Sequence, residues 1–227
     1  MIYRIITIMM MSCVLPVAAT SQEARYKWDI GVGAGMSGYV GDANTGFPFR
    51  HPGAAVDIFC RYNIDSRWGV RTQAGLATLS GNTADMDNVL PGAMQYSFKS
   101  TVYDVSVRGE YNFFPYGIGE TYKRLRRWTP VLSLGIGAVL SGVDGKTFAA
   151  MEIPMGLGLK YKASERLNLA VEWTMTKTAG DHIDGEKLSD LYLIKSSFLK
   201  NTDWYSTITV SVTYDFGERC VVCNRKD

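Results

Sequence analysis

The stretch Ser206-Thr207-Ile208-Thr209-Val210-Ser211-Val212-Thr213-Tyr214-Asp215-Phe216 decides the fold. Ile208, Val210, Val212, Tyr214 and Phe216 fall on one face, and Thr207, Thr209, Ser211, Thr213 and Asp215 fall on the other. Side chains alternate across a strand, so this is a strand with one apolar and one polar face. Sustained over about ten residues, the pattern fits lipid on one side and a polar barrel interior on the other. A soluble core strand can alternate in the same way. The context decides between them, because the pattern recurs along the chain behind an export signal.

That signal occupies the first residues. Arg4 supplies a positive start, Ile5 to Val17 is an apolar run too short to span a bilayer, and Val17-Ala18-Ala19 offers small residues for cleavage. Met10-Met11-Ser12-Cys13 is a poor lipobox, which argues against acylation at Cys13. The expected organisation is a signal peptide over 1–20, a barrel over 21–217 and a tail over 218–227. No later segment approaches the roughly 18 consecutive apolar residues of a membrane helix. A chain that enters the bilayer without such helices must do so as a closed β-barrel. The net charge of +2 makes no electrostatic case for nucleic acid.

Seven earlier segments alternate like the first: Trp28 to Val40, Ala54 to Tyr62, Trp68 to Thr78, Val102 to Phe113, Trp128 to Leu140, Glu152 to Lys162 and Leu167 to Lys177. The expected fold is therefore all-β, an eight-stranded antiparallel transmembrane barrel of outer-membrane type. Asn63 to Arg67 and Ala163 to Arg166 read as tight turns. Gly41 to Gly53, Gly81 to Tyr96, Ser141 to Met151 and Thr178 to Asp203 read as longer polar loops. Short periplasmic turns and longer outer loops are the habit of such barrels, so both chain ends are expected in the periplasm. The turn from Pro115 to Arg127 is unusually long for that side. Tyr62, Trp68, Tyr111, Phe113, Phe114, Tyr116, Trp128, Tyr161, Tyr214 and Phe216 are expected at the periplasmic rim as one aromatic girdle.

The inward positions carry Asp29, Asp57, Arg61, Arg71, Asp104, Arg108, Glu110, Lys160, Glu172 and Asp215. An eight-stranded barrel has an interior just wide enough for side chains. Isolated buried ions are very costly, so these charges must pair. The reading is a salt-bridged plug and not a solute pathway. Inward glycines, among them Gly31, Gly33, Gly135 and Gly137, make room in a narrow barrel.

Little else suggests chemistry. A loop histidine such as His51, or His182 within Asp181-His182-Ile183-Asp184, would serve a lipid-modifying enzyme as a base, but no nucleophile or orienting group accompanies either. No cofactor, metal or small-molecule substrate is called for, and no catalytic residue is assigned. Lys123, Arg124, Arg126 and Arg127 form a dense basic run in the long periplasmic turn, a solvated turn or a docking surface for an acidic partner. Of the four cysteines, three follow the signal. Cys60 points to lipid and acts as a small apolar residue. Cys220 and Cys223, spaced as CxxC, close on each other or on a partner in an oxidising periplasm.

Several stretches together resemble a known family. They are Gly38-Tyr39-Val40-Gly41-Asp42, Arg61-Tyr62-Asn63-Ile64, Arg67-Trp68-Gly69-Val70-Arg71, Tyr103-Asp104-Val105, Glu110-Tyr111-Asn112-Phe113-Phe114-Pro115-Tyr116, Trp128-Thr129-Pro130 and Ile153-Pro154-Met155-Gly156. With them the chain resembles, from about Trp28 to Phe216, the PorG-like outer-membrane barrels of the Bacteroidetes type IX secretion machinery. The resemblance implies a non-enzymatic membrane anchor for the periplasmic ring of that machinery, formed by a lipoprotein and its partner. The basic turn and the Cys220/Cys223 tail would face that ring, with a mixed disulfide as one expectation. A general small barrel for envelope integrity or adhesion is the alternative.

Overall fold

The structure, a computed structural model, describes residues 25–40, 49, 52–82, 97–118, 125–143, 146–179 and 204–219. Eight strands follow one another: β1 Tyr26–Val40, β2 Gly53–Asn63, β3 Trp68–Asn82, β4 Ser97–Asn112, β5 Trp128–Val143, β6 Lys146–Lys162, β7 Leu167–Ala179 and β8 Trp204–Glu218. Each pairs antiparallel with its sequence neighbour, and β8 returns to β1 to close the barrel. Closure removes the sheet edges whose unpaired backbone groups no bilayer can satisfy.

Period-two alternation places the faces as expected. In β8, Thr209, Ser211, Thr213 and Asp215 are buried while Val210, Val212, Tyr214 and Phe216 are exposed. The outside is a continuous apolar belt. Ile58, Val105, Ile136, Leu157 and Val171 are each at least half exposed, a surface that lipid covers and water does not favour. Cys60 lies on this outer face between Ile58 and Tyr62, half-buried and unbridged.

Two expectations need correction. The stretch Ser141 to Met151 is not a long polar loop. β5 runs to Val143 and β6 starts at Lys146, with Val143 opposite Lys146, so the two strands meet in a tight hairpin. Several strands also extend past the bounds read from the sequence, and the extensions of β3 and β8 bring Leu79 and Tyr205 into a second interior. Tyr39, Leu79, Val102, Val139 and Tyr205 form an apolar cluster inside the barrel, at the end away from the chain termini. The lumen is charged below; above, the apolar cluster shares it with buried Ser37, Ser100, Ser141 and Thr178. The β5–β6 ladder breaks between Leu134↔Met155 and Gly137↔Glu152. Pro154 sits in that gap and has no N–H to donate.

Candidate functional site

The inner faces assemble a layered plug. All ten charged residues expected inside are buried, and Lys162 and Glu152 join them. Glu110 is the hub of the middle layer. It accepts from Arg61 Nη2 at 3.2 Å, receives Lys160 Nζ and lies 3.6 Å from Arg71 Nη1. Arg61 also donates to Asp29 Oδ1 at 3.0 Å, and Arg71 links Glu172 to Asp57. Arg108 reaches Glu172 at 3.5 Å, and Ser133 donates to the same carboxylate at 2.9 Å. These bonds come from β1 to β7 and cross the lumen, so they tie together strands that never pair. Multiple partners around each ion offset the desolvation that a lone buried pair would suffer.

The Phe59 ring lies within this charged layer. The Arg71 guanidinium stacks over it at 3.7 Å and that of Arg61 lies at 5.3 Å. Its ring edge covers Gly31, its register partner in β1, where an added Cβ would sit 2.5 Å from Cζ. At Gly135 the constraint is different: a Cβ would collide with the carbonyl oxygen of Val107 in β4.

Above the hub the charges are less well matched. Tyr205 donates to Glu152 Oε2 at 2.7 Å, but Glu152 Oε1 and Asp104 Oδ2 have no hydrogen-bond partner among the described residues. Below the hub, Lys162 pairs with Asp215 and donates to Asn168 Oδ1 at 3.2 Å.

The rim where β1 begins and β8 ends carries the rest of the candidate site. Tyr62, Trp68, Phe113, Trp128, Tyr161, Tyr214 and Phe216 are exposed there, with Trp28 tilted against Tyr62 and Trp68 against Tyr111, each pair 4.8 Å between ring centres. This is the expected girdle, with one correction: Tyr116 does not belong to it. Tyr116 turns inward over the barrel mouth. Its N–H donates to Ser66 O at 3.0 Å and its hydroxyl to Asn168 Oδ1 at 2.8 Å. Burial pushes its phenol above the usual range, so it stays protonated as a donor. Between it and the plug lies a cavity of about 50 Å³ lined by Arg61, Asn112, Lys162 and Asp215, among others. That is room for a few waters.

The long β4–β5 turn is held firmly in its described part. Phe113 N–H donates to Pro130 O, Phe114 N–H to Thr129 Oγ1, Gly117 N–H to Arg126 O and Arg126 N–H to Pro115 O. Arg126 and Arg127 are exposed, and the Arg126 guanidinium lies 4.4 Å above the Phe114 ring. Lys123 and Arg124 of the basic run lie outside the described residues, as do Cys220, Cys223, His51, His182 and the signal segment. Sequence reasoning missed Lys162, which continues the alternation two residues past Lys160. It also missed the role of Tyr116, for which a turn offers no periodic signal.

Solved structures share this architecture. Neisserial surface protein A matches with a TM-score of 0.52 at 11% identity, covering 83% of this chain and 97% of that one. OprG from Pseudomonas aeruginosa matches with a TM-score of 0.47 at 13% identity, covering 86% and 99%. Ail of Yersinia pestis, in complex with the heparin analogue sucrose octasulfate, matches with a TM-score of 0.45 at 12% identity, covering 85% and 100%. At 11% identity the first of these speaks to the fold alone. No curated protein matches the chain. The fold is that of a small outer-membrane barrel, and by the match of its family model over residues 4–225 the chain belongs to the family described as Domain of unknown function (DUF6089).

Proposed function

We propose that this barrel is a non-enzymatic outer-membrane component of the type IX protein secretion machinery. On this reading it anchors or docks the periplasmic lipoprotein ring, with both chain ends in the periplasm. The observation that carries the reading is the β4–β5 turn. It is long, tied to the barrel by backbone and threonine hydrogen bonds, and presents Arg126 and Arg127 outward at the rim where the descending strands end. A braced basic surface suits orientation of an acidic partner. The filled lumen supports an anchor more than a conduit, because ionic and apolar layers both cross it. The family resemblance supplies the identity of the machinery; in sequence, Lys123 and Arg124 complete the basic run and Cys220 and Cys223 follow β8, and on this reading they serve the same ring.

The test is deletion of the gene, followed by measurement of type IX cargo outside the cell. Loss of export is expected, and normal export would sink the reading. Affinity capture from solubilised outer membrane should recover ring subunits. Glu replacements at Arg126 and Arg127 should weaken that recovery. Non-reducing gels should show a larger reducible species that disappears in a Cys220→Ser, Cys223→Ser double variant. Envelope sensitivity without an export defect would instead select the general small-barrel reading. Altered envelope lipids on His182→Ala would select the enzymatic one.

A further inference from the structure

An arginine stands at the foot of every ascending strand. Arg25 precedes β1, Arg67 precedes β3, Arg127 precedes β5 and Arg166 precedes β7. All four play the same backbone role. The carbonyl of Arg25 accepts from Arg219 N–H at 2.9 Å, that of Arg67 from Asn112 N–H at 2.7 Å, that of Arg127 from Lys162 N–H at 2.6 Å and that of Arg166 from Asp215 N–H at 2.8 Å. Each donor lies at or near the end of the neighbouring descending strand. The ascending strands alternate around a closed barrel, so the four side chains are spread around its circumference. Any residue type can supply the carbonyl, so the backbone role does not explain the guanidinium.

The side chains suggest what does. Arg25 is paired with Glu218 at 2.9 Å and with Glu165 at 3.6 Å. The other three have no carboxylate partner among the described residues. Arg67 and Arg166 each donate one Nη1–H, at 3.2 Å, to a tyrosine hydroxyl, Tyr111 and Tyr214 respectively, and the Arg166 guanidinium also lies 5.7 Å from the centre of the Tyr26 ring. The Tyr111 and Tyr214 rings belong to the aromatic girdle, so the guanidiniums are held at the level where a membrane changes from apolar to polar. Directly above them the lipid-facing surface begins, with Trp68 51%, Trp128 45% and Leu167 38% exposed. Arg127 is exposed beside Trp128. A guanidinium with unused N–H groups, next to an apolar belt and without an anion from the protein, is complementary to phosphate.

We propose that Arg67, Arg127 and Arg166 form a collar that binds the headgroups of anionic phospholipids in the leaflet touching this rim. The tyrosine hydroxyls set the height of two of the three guanidiniums, and the exposed tryptophans and Leu167 pack the acyl chains just above. Basic side chains near an anionic leaflet each contribute modestly, so the collar acts by number and by shared height. Arg127 is shared with the proposed docking surface, so the collar is tested at Arg67 and Arg166, which that surface does not use.

Native mass spectrometry of the purified full-length barrel in detergent, titrated with phosphatidylglycerol or with phosphatidylcholine, tests the collar. The native protein should retain phosphatidylglycerol in preference. An Arg67→Gln, Arg166→Gln double variant should hold it about tenfold more weakly, while Arg67→Lys, Arg166→Lys should keep part of the preference through charge alone. Heat-modifiable migration on gels reports whether each variant is folded. Should the glutamine variant fail to fold, the native protein still decides the matter. Its preference for phosphatidylglycerol must fall as sodium chloride rises, because exposed charge contacts are screened. Equal retention of the two lipids, an undiminished preference in a folded glutamine variant, or a preference insensitive to salt would each overturn the proposal.

Discussion

Tyr116, in the β4–β5 turn, reaches across the barrel mouth and donates its hydroxyl to Asn168 Oδ1 on β7 at 2.8 Å. The contact spans 52 positions of sequence and joins a turn to a strand on a different part of the wall. Its removal therefore separates closure of the mouth from integrity of the plug. Tyr116→Phe should lower stability by about 1 kcal/mol, the usual worth of one hydrogen bond. Urea unfolding in bilayers reads this. Tyr116→Ala should open the mouth without creating a conductance, since the Arg61–Glu110–Lys160 layer still fills the lumen above. Stepwise channel currents from this variant in planar bilayers would contradict the plug.

The hub and the upper acids should respond very differently to neutralisation. Glu110 faces Arg61, Arg71 and Lys160, so Glu110→Gln leaves several buried cations short of an anion. A loss of about 3–5 kcal/mol is expected. Glu152 keeps one oxygen without a hydrogen-bond partner among the described residues, and its amide analogue can still accept from Tyr205. Glu152→Gln should therefore change stability by less than about 1 kcal/mol. The comparison is made by equilibrium unfolding of the two variants under one condition. Equal losses would show that the layers are not distinct.

The outer face carries its own prediction. Ile58 is 62% exposed in the middle of β2, opposite Val32. Ile58→Arg places a charge against the hydrocarbon core and should destabilise the barrel by about 2–4 kcal/mol. The same substitution at Ile64, exposed in the β2–β3 turn, should have little effect. Folding yields into lipid vesicles separate the two, and indifference at Ile58 would argue against a lipid-facing belt.

Gly31 and Phe59 test the fit inside the plug. An added Cβ at Gly31 meets the Phe59 ring, which is itself stacked beneath Arg71. Gly31→Val should displace the ring and lower stability by about 1–3 kcal/mol, the range for overpacking. Shrinking the ring in Gly31→Val, Phe59→Leu should recover part of the loss, because the two sites touch and so do not add independently. Full additivity in a double-mutant cycle would show that the contact is unimportant.

Much of this architecture was legible in the residues themselves. Val210, Val212 and Tyr214 against Ser211, Thr213 and Asp215 specify which side of β8 meets lipid, because successive side chains on a strand must point to opposite faces. The same rule placed Arg61, Glu110 and Glu172 inside before any contact was known. Two things were not legible. The alternation says that Glu110 is inside but not that Arg61, Arg71 and Lys160 converge on it, since those contacts are set by register and closure between strands distant in sequence. Nor does it foresee Tyr116 over the mouth or the four arginine carbonyls beneath the ascending strands. Turns have no period, and only the closed barrel brings their groups to one rim. The sequence by itself determined the strands and their two faces through local backbone geometry. The tertiary structure decided the partners, because a cylinder juxtaposes residues according to circumference and not to distance along the chain.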